Sequence, residues 1–260
     1  MSDLEETPPP YATNPLTRFC DLASDYAKYR PSYPAAAIDF ILEGIDTQLP
    51  IVVADVGAGT GISSRLLAER GVRVLAIEPN ADMRQAAAPH PLVEFRQATA
   101  EATSLSDASV DLVTCFQSFH WFNPEPTLLE FNRILKPSGR LGVIWHDWDE
   151  NDEFTTNYNH LVLTASNYRP SDEYRTILES LASHYLVDIK HRVFPYEQEV
   201  PLTELVGFTR SQSIVPRSGV VLQQLISDLQ QLHTRFCNKR GLVSLMNSTT
   251  VFLAKPKPYR

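Results

Sequence analysis

The chain has 260 residues, of which 43% are hydrophobic and 10% aromatic, enough for one large domain with a substantial core. Its formal net charge is −8 and it has no run of lysines and arginines longer than two, which argues against a nucleic-acid substrate because phosphates are bound by basic patches. The sequence contains no apolar stretch of 18 residues, no signal peptide and no cysteine pair with zinc spacing, so we expect no membrane span and no metal site, and we predict a reduced, cytoplasmic protein.

The predicted elements begin with an acidic, proline-containing arm at residues 1–15, which we expect to be flexible. A short helix follows within residues 21–34 and breaks at Arg30, because a residue that precedes a proline avoids the helical region. From residue 35 onwards, helices alternate with short apolar runs that are typical of strands buried on both faces. The predicted strands are residues 51–56, 72–77, 92–96, 110–116 and 140–145, and the predicted helices are residues 35–42, 62–70, 82–88 and 127–135. This alternation predicts a doubly wound, Rossmann-like α/β sheet that is mostly parallel.

The alternation stops after residue 145. Helices are predicted within 151–187 and 202–237, with a strand at 192–198 between them. Two final runs, 242–246 and 249–254, are predicted to form an antiparallel terminal pair that turns at Asn247 and Ser248. We therefore expect a single domain over residues 16–260. Its parts are a nucleotide-binding core at about 35–148 and helical cap elements at about 16–34, 150–187 and 202–237.

The most informative motif is the loop GAGTG at residues 57–61, between the first strand and the helix that follows it. Glycines at this boundary allow a sharp turn and a close approach of the backbone to a ligand. A dinucleotide fingerprint would need a glycine at Ile62, and no Gly-Lys-Ser/Thr sequence follows as in a P-loop. The alternative is an ordinary tight turn that binds no ligand. Three alternating glycines at this boundary make that alternative much less favoured than a ligand-binding loop.

Glu78 ends the second predicted strand, 21 positions after Gly57. A carboxylate at this edge of a parallel sheet faces the crevice, where it can accept both ribose hydroxyls of a bound nucleoside. The alternative is a solvated glutamate that opens a loop before Pro79. The glycine loop and the acid together are more specific than either alone.

Four segments in order, ADVGAGTG, AIEPNADM, SVDLVTCFQSFHWF and LLEFNRILKPSGRLGVIW, resemble the class I S-adenosylmethionine-dependent methyltransferases. The chain is similar to their methyltransferase type 11-like members, in the branch of trans-aconitate methyltransferase-like proteins. YAKYRPSYP and LVGFTRSQS extend this resemblance more weakly, and residues 51–146 carry most of it.

The resemblance implies S-adenosylmethionine as the cofactor and assigns roles at the matching positions. Gly57, Ala58 and Gly59 would pack against the methionine part, with Asp55 supporting the loop. Glu78 would hold the ribose. The remaining positions implied for the cofactor are Met83 and the pair Ala100 and Glu101 at the adenine, and Gln117 toward the amino-acid end.

The sequence defines the binding site for the methyl acceptor less clearly than the cofactor site. The segment FQSF at residues 116–119 lacks the Asn/Asp-Pro-Pro-aromatic pattern of amino methyltransferases, and no Pro-Cys pair supports a cysteine nucleophile. His120 is the best-placed candidate for a general base, although a structural histidine is the slightly favoured alternative. Trp121 and Trp145 follow the fourth and fifth strands and are candidates to face the methyl group, with core packing as the alternative.

Tyr26, Tyr29, Arg30 and Tyr33 are expected to fold over the site as a lid. Arg30 is a candidate to pair with a carboxylate of the cofactor or of the substrate, or it caps a turn at the surface. Arg210 and Arg217 are weaker candidates for the same pairing. We expect Tyr26, Arg30 and Tyr33 to contact the acceptor.

The sequence therefore predicts a methyltransferase that acts on a small molecule, with O-methylation of a carboxylate as the favoured reaction. Two alternatives stay open, a cofactor-binding partner without catalysis and a protein-modifying methyltransferase. We expect no nucleic-acid or membrane partner and either a monomer or a homodimer.

Overall fold

The computed structural model describes Tyr11 and residues 22–45, 50–166 and 184–257, which build a seven-stranded sheet in the order β3-β2-β1-β4-β5-β7-β6. The strands are β1 Val52–Val56, β2 Arg73–Ile77, β3 Val93–Arg96, β4 Val110–Phe116, β5 Leu135–Trp148, β6 Leu186–Pro201 and β7 Leu242–Pro256. The helices are α1 Ala23–Tyr29, α2 Ala35–Leu42, α3 Ile62–Ala68, α4 Ala81–Gln85, α5 Pro124–Ile134, α6 Glu153–Ser166, α7 Leu202–Arg210 and α8 Val220–Phe236. The predicted α/β class is confirmed.

Strands β1 to β5 are parallel, and β1 lies in the middle between β2 and β4. Val53, Ala54 and Val113 on these central strands are fully buried, because helices cover both faces of the sheet. β7 runs antiparallel to β5, and β6 runs antiparallel to β7 at the sheet edge. The carboxyl ends of β1, β2, β4 and β5 therefore meet at one edge of the sheet.

The two faces of the sheet carry separate hydrophobic cores. α5 packs on one face, where Leu128 and Phe131 join Trp145 of β5. α2 and α3 pack on the other face, where Ile38 joins Ile144 of the same strand. Neighbouring residues of a strand point to opposite faces, so this packing fixes the side to which each residue at the end of β5 projects.

A third core lies in the cap, where α6, α7 and α8 pack against the start of β7. Its fully buried side chains include Tyr158, Leu205 and Leu229. The Tyr158 hydroxyl lies 3.0 Å from Thr209 Oγ1 and accepts a 2.9 Å hydrogen bond from Gln212 Nε2, which satisfies a polar group inside an apolar cluster.

The cap holds α1 through a close contact at Gly207 on α7. A Cβ atom added to Gly207 would lie only 2.6 Å from ring carbons of Tyr29, a separation that real Cβ atoms do not reach. The absence of a side chain at position 207 therefore lets the end of α1 lie directly on α7. Arg30 is the residue that ends α1, so this contact also sets its position.

The predicted turn at Asn247 and Ser248 is wrong, because β7 is one continuous strand. Asn247 pairs with Trp148 on β5 and with Tyr196 on β6, and Ser248 is also paired on both sides. The side chains of Thr249 and Thr250, which follow in β7, have hydrogen-bond partners on β5. The Thr250 hydroxyl donates to Asp147 Oδ2 over 3.0 Å, so the hydrogen-bonding capacity of this polar side chain is satisfied inside the sheet and needs no turn.

Other predicted boundaries differ at the ends of elements. β6 begins at Leu186, so the helical segment expected at 150–187 ends earlier than predicted. Most of the predicted arm at 1–15, and residues 167–183, lie outside the described residues. In the described part of the chain, no helix is both long and apolar enough to cross a membrane.

Replacing Gly207 with alanine tests the contact between α1 and α7. We expect Gly207→Ala to lower the free energy of unfolding by about 1–3 kcal/mol, because overpacking forces Tyr29 or the helices to move. Chemical denaturation measures the loss. Gly142→Ala is the matched control, since an added Cβ there would meet its neighbours at an ordinary 3.7 Å.

The loss should shrink when Tyr29→Ala is combined with Gly207→Ala, because the ring that clashes is then gone. Equal stability of Gly207→Ala and the wild type would show that Tyr29 does not restrict this position.

Candidate functional site

The loop after β1 is held close to two neighbouring strands. The N–H groups of Gly57 and Ala58 both donate to the Ile77 carbonyl of β2, over 2.9 and 3.1 Å. Gly57 has a φ of +70°, and a Cβ atom there would lie 2.5 Å from Ser118 Cβ. Only glycine fits this position, because both the left-handed conformation and the space exclude a side chain.

Asp55 at the end of β1 is fully buried and supports the loop from below. Its carboxylate accepts hydrogen bonds from Ser64 Oγ at 2.6 Å, Ser63 Oγ at 2.7 Å and Thr114 Oγ1 at 2.9 Å. Burial raises the pKa of Asp55, and these three hydroxyl donors oppose that rise. Asp55 therefore connects β1, α3 and β4 at the point where the glycine loop begins.

Glu78 at the end of β2 fixes the far side of the same loop. Its Oε2 accepts the Gly59 N–H and its Oε1 accepts the Asn80 N–H, both at 2.8 Å. Burial raises the pKa of Glu78, and the two backbone donors together with nearby Arg84 oppose the rise. Each carboxylate oxygen can accept a further hydrogen bond, so Glu78 can hold the loop and bind a ligand hydroxyl at once.

These elements border a cavity of about 500 Å³, which we call the main cavity. Nine of the residues predicted for the cofactor or the acceptor line it, namely Tyr26, Gly57, Gly59, Glu78, Met83, Ala100, Glu101, Gln117 and Trp121. Other lining residues were not predicted as site residues, among them Asn80, Phe116, Ser118 and Asn123. Asn80 had a signal, since it precedes a helix as an N-cap and its Oδ1 accepts the Met83 N–H at 3.1 Å.

A second cavity of about 40 Å³, the polar pocket, adjoins the main cavity and shares Tyr26, Gly57, Phe116 and Gln117 with it. Its further lining includes Arg30, Tyr33, Ala58 and His146. Of the predicted site residues, Arg30, Tyr33 and Ala58 line this smaller cavity and not the main cavity.

Arg30 is enclosed between α1 and the cap. Its guanidinium lies over the rings of Tyr26 and Phe208, 4.6 and 5.7 Å from their centroids, and Nη2 donates to the Ser211 carbonyl over 3.4 Å. Its Nε is buried and has no hydrogen-bond partner among the described residues. This differs from the surface arginine that the sequence allowed as an alternative.

Two predicted site residues lie elsewhere. Trp145 is buried in the core beneath α5, whereas the next residue, His146, points to the opposite face and lines the polar pocket. The prediction that Trp145 faces the acceptor is wrong for this reason, since successive strand residues alternate. His120 lines neither cavity among the described residues and packs beside Trp121, with ring centroids 4.8 Å apart, which favours its structural interpretation.

The weaker arginine candidates also lie outside both cavities. Arg217 donates to the Arg210 carbonyl over 3.0 Å, and neither residue is part of the lining. Within the described ranges, no group of three or more His, Cys, Asp or Glu side chains is arranged to hold a metal ion.

Comparisons with known proteins relate this chain to methyltransferases. A family profile described as a methyltransferase domain matches residues 54–143. The chain is 32% identical over 216 residues to a Dictyostelium discoideum protein described as a methyltransferase, which covers 80% of this chain and 81% of that protein. It is 29% identical over 202 residues to an uncharacterized methyltransferase-like protein of Schizosaccharomyces pombe, with 77% of this chain and 79% of that protein covered.

Among solved structures, a protein from Anaeromyxobacter dehalogenans described as a type II methyltransferase has the same fold. The superposition gives a TM-score of 0.64 at 22% identity and covers 87% of this chain and 97% of that chain.

Removing the Glu78 carboxylate tests the ligand assignment of the main cavity. We expect Glu78→Ala to weaken binding of S-adenosylhomocysteine by roughly ten- to over a hundredfold, which corresponds to about 1.5–3 kcal/mol for hydrogen bonds to a charged group. Calorimetry on the folded variant measures the dissociation constant. Glu94→Ala on the neighbouring strand removes an exposed carboxylate with surface ion pairs and should bind like the wild type. An unchanged affinity in Glu78→Ala would show that the ribose does not bind at this residue.

Proposed function

Because this chain belongs to the class I S-adenosylmethionine-dependent methyltransferases, we propose that it methylates a small anionic molecule on a carboxylate oxygen. S-adenosylmethionine is the cofactor, and its sulfonium supplies an electrophilic methyl group when it is bound. The residues of the chain then have to bind the cofactor, align the acceptor oxygen with the methyl carbon and exclude water.

The described residues fit this cofactor. The main cavity has a volume of about 500 Å³, within the usual range for ligand sites. A side chain at Gly57 would clash with Ser118 and Phe122, which also line this cavity. In the proposal, Met83 and Ala100 contact the adenine, Glu101 lies at its edge, and Glu78 accepts the ribose hydroxyls. The loop at Gly57, Ala58 and Gly59 contacts the methionine part, and Gln117 lies toward its amino-acid end.

Aromatic faces support transfer from a cationic group. Tyr26, Phe116, Trp121 and Phe122 all border the main cavity. An aromatic ring face attracts a cation within about 6 Å, so these rings can stabilise the positive charge of a bound sulfonium. Unlike a carboxylate beside the methyl group, they do not compete with the acceptor for that group. We propose that Tyr26 and Trp121 contribute to the acceptor side of the cavity.

The observation that carries the anionic acceptor is the half-buried Arg30 at the polar pocket, whose Nε atom is buried. Its Nε has no partner among the described residues, and no Asp or Glu is part of the described lining of this pocket. A carboxylate would supply the missing acceptor and neutralise the charge. Because a carboxylate is already ionised at neutral pH, the reaction needs no general base, which agrees with the position of His120 outside the lining.

The cap favours a small acceptor over a polypeptide. α1 lies on α7 through the contact of Tyr29 with Gly207, and this places Tyr26 and Arg30 over the end of the site. An acceptor therefore enters beneath α1 rather than along an open groove. In this proposal the protein acts as a monomer or homodimer in the cytoplasm and has no nucleic-acid or membrane partner.

Turnover of methyl-labelled S-adenosylmethionine against a panel of carboxylic acids, phenols and amines tests this proposal. We expect methyl esters of one or more acids as the products. Arg30→Met should raise the KM for the acid roughly 10- to 100-fold, because it removes charged hydrogen bonds. Arg235→Met, an exposed arginine on α8, is the matched control. Exclusive turnover of phenols or amines, or an unchanged KM in Arg30→Met, would contradict the proposal.

A further inference from the structure

His146 near the end of β5 is a half-buried histidine that lines the polar pocket, and its Nε2 atom is buried. Its ring lies between two tyrosines, with ring centroids 4.5 Å from Tyr33 and 5.9 Å from Tyr196 and interplanar angles of 15° and 11°. This stack fixes the plane of the imidazole, so its two nitrogens have defined directions. One direction leads to β7 and the other leads away from it.

The contact with β7 determines which nitrogen carries the proton. Nδ1 lies 2.9 Å from Oγ1 of Thr249, a fully buried residue whose hydroxyl makes no other hydrogen bond with the described residues. If the hydroxyl donates to Nδ1, both groups are satisfied. If Nδ1 were the donor, the threonine hydrogen would stay buried without an acceptor, at a penalty of about 1–3 kcal/mol. The favoured tautomer therefore carries its hydrogen on Nε2.

The surroundings keep this ring uncharged. Burial lowers the pKa of His146 to about 4, and the positive charge of Arg30 on α1 contributes in the same direction, while the Ser32 backbone and Asp147 act against it. The Thr249 hydroxyl and the stacked rings of Tyr33 and Tyr196 also contact the imidazole and carry no charge. At neutral pH His146 is a neutral donor through Nε2.

The polar pocket thus presents two buried donors. Arg30 Nε has no partner, and His146 Nε2 makes no hydrogen bond of good geometry with the described residues. Two carboxylates lie near these groups. Asp147 accepts a hydrogen bond from Thr250 Oγ1, and Asp55 accepts three hydroxyl hydrogen bonds. A volume of about 40 Å³ holds a few water-sized groups, which is the size of one carboxylate.

We propose that the polar pocket is a carboxylate subsite in which His146 Nε2 is the second donor beside Arg30. The inference rests on the proposed function, since it assigns a part of the same site. The carboxylate comes either from the acceptor or from the methionine end of the cofactor. A carboxylate from either source presents the same chemistry to the pocket. The two sources are distinguished by which ligand binds more weakly when the His146 donor is removed.

The experiment compares two nucleosides on His146 variants. S-adenosylhomocysteine has the carboxylate, whereas 5′-methylthioadenosine has the same nucleoside thioether without the amino-acid part. His146→Phe keeps a ring in the stack but removes the donor, and His146→Gln restores an N–H near the Nε2 position. His191→Phe, on the exposed face of β6, is the matched control. Thermal melts establish that each variant folds, and His146→Met replaces the phenylalanine variant if that one does not.

If the cofactor supplies the carboxylate, His146→Phe weakens S-adenosylhomocysteine about tenfold, leaves 5′-methylthioadenosine unchanged, and His146→Gln recovers most of the loss. If the acceptor supplies it, both nucleosides bind as in the wild type. The KM of the carboxylic acid from the turnover panel then rises about tenfold in His146→Phe, with little change in kcat.

The inference is overturned if His146→Phe weakens both nucleosides equally, which indicates a structural role, or if it changes neither nucleoside nor the KM of an acid substrate. In the second case the proposed function stands without the subsite. A selective loss for S-adenosylhomocysteine without any acid substrate supports the subsite and contradicts the proposed function. Unchanged nucleoside binding without any acid substrate overturns both.

Discussion

The buried carboxylate of Asp55 is the interaction on which the site depends. It accepts hydroxyl hydrogen bonds from Ser63, Ser64 and Thr114, and it joins the end of β1 to α3 and β4. Leaving a buried hydroxyl without an acceptor costs about 1–3 kcal/mol, so this arrangement strongly favours one geometry for the loop that follows. Glu78 then holds the other side of that loop at the Gly59 N–H.

The acceptor side depends on a different contact, between the lid and the cap. Tyr29 lies against Gly207, and this position of α1 places Arg30 between the rings of Tyr26 and Phe208. The cap helices therefore do more than cover the sheet. They hold the one guanidinium in the described lining of the two cavities at the wall of the polar pocket.

The features that local sequence determines were predictable. Continuous apolar runs gave the parallel strands, and the glycine loop with Glu78 located the main cavity, because strand ends and turns follow from local residue patterns. The features that depend on tertiary packing and strand pairing could not be predicted. Trp145 and His146 are neighbours that point to opposite faces of β5, and which face each one takes is set by the packing of α5 on one side and α2 on the other. Asn247 is of a residue type that favours turns, but in the structure β5 and β6 pair with it on both sides.

The central claim is that the main cavity binds an S-adenosyl nucleoside rather than a dinucleotide. Calorimetric titration of the purified protein with S-adenosylhomocysteine and, separately, with NAD tests it most directly. The account predicts tight binding of S-adenosylhomocysteine and poor binding of NAD, because residues 57–61 have the spacing GxGxG and Ile62 occupies the third glycine position of a dinucleotide loop. Tighter binding of NAD than of S-adenosylhomocysteine would contradict it.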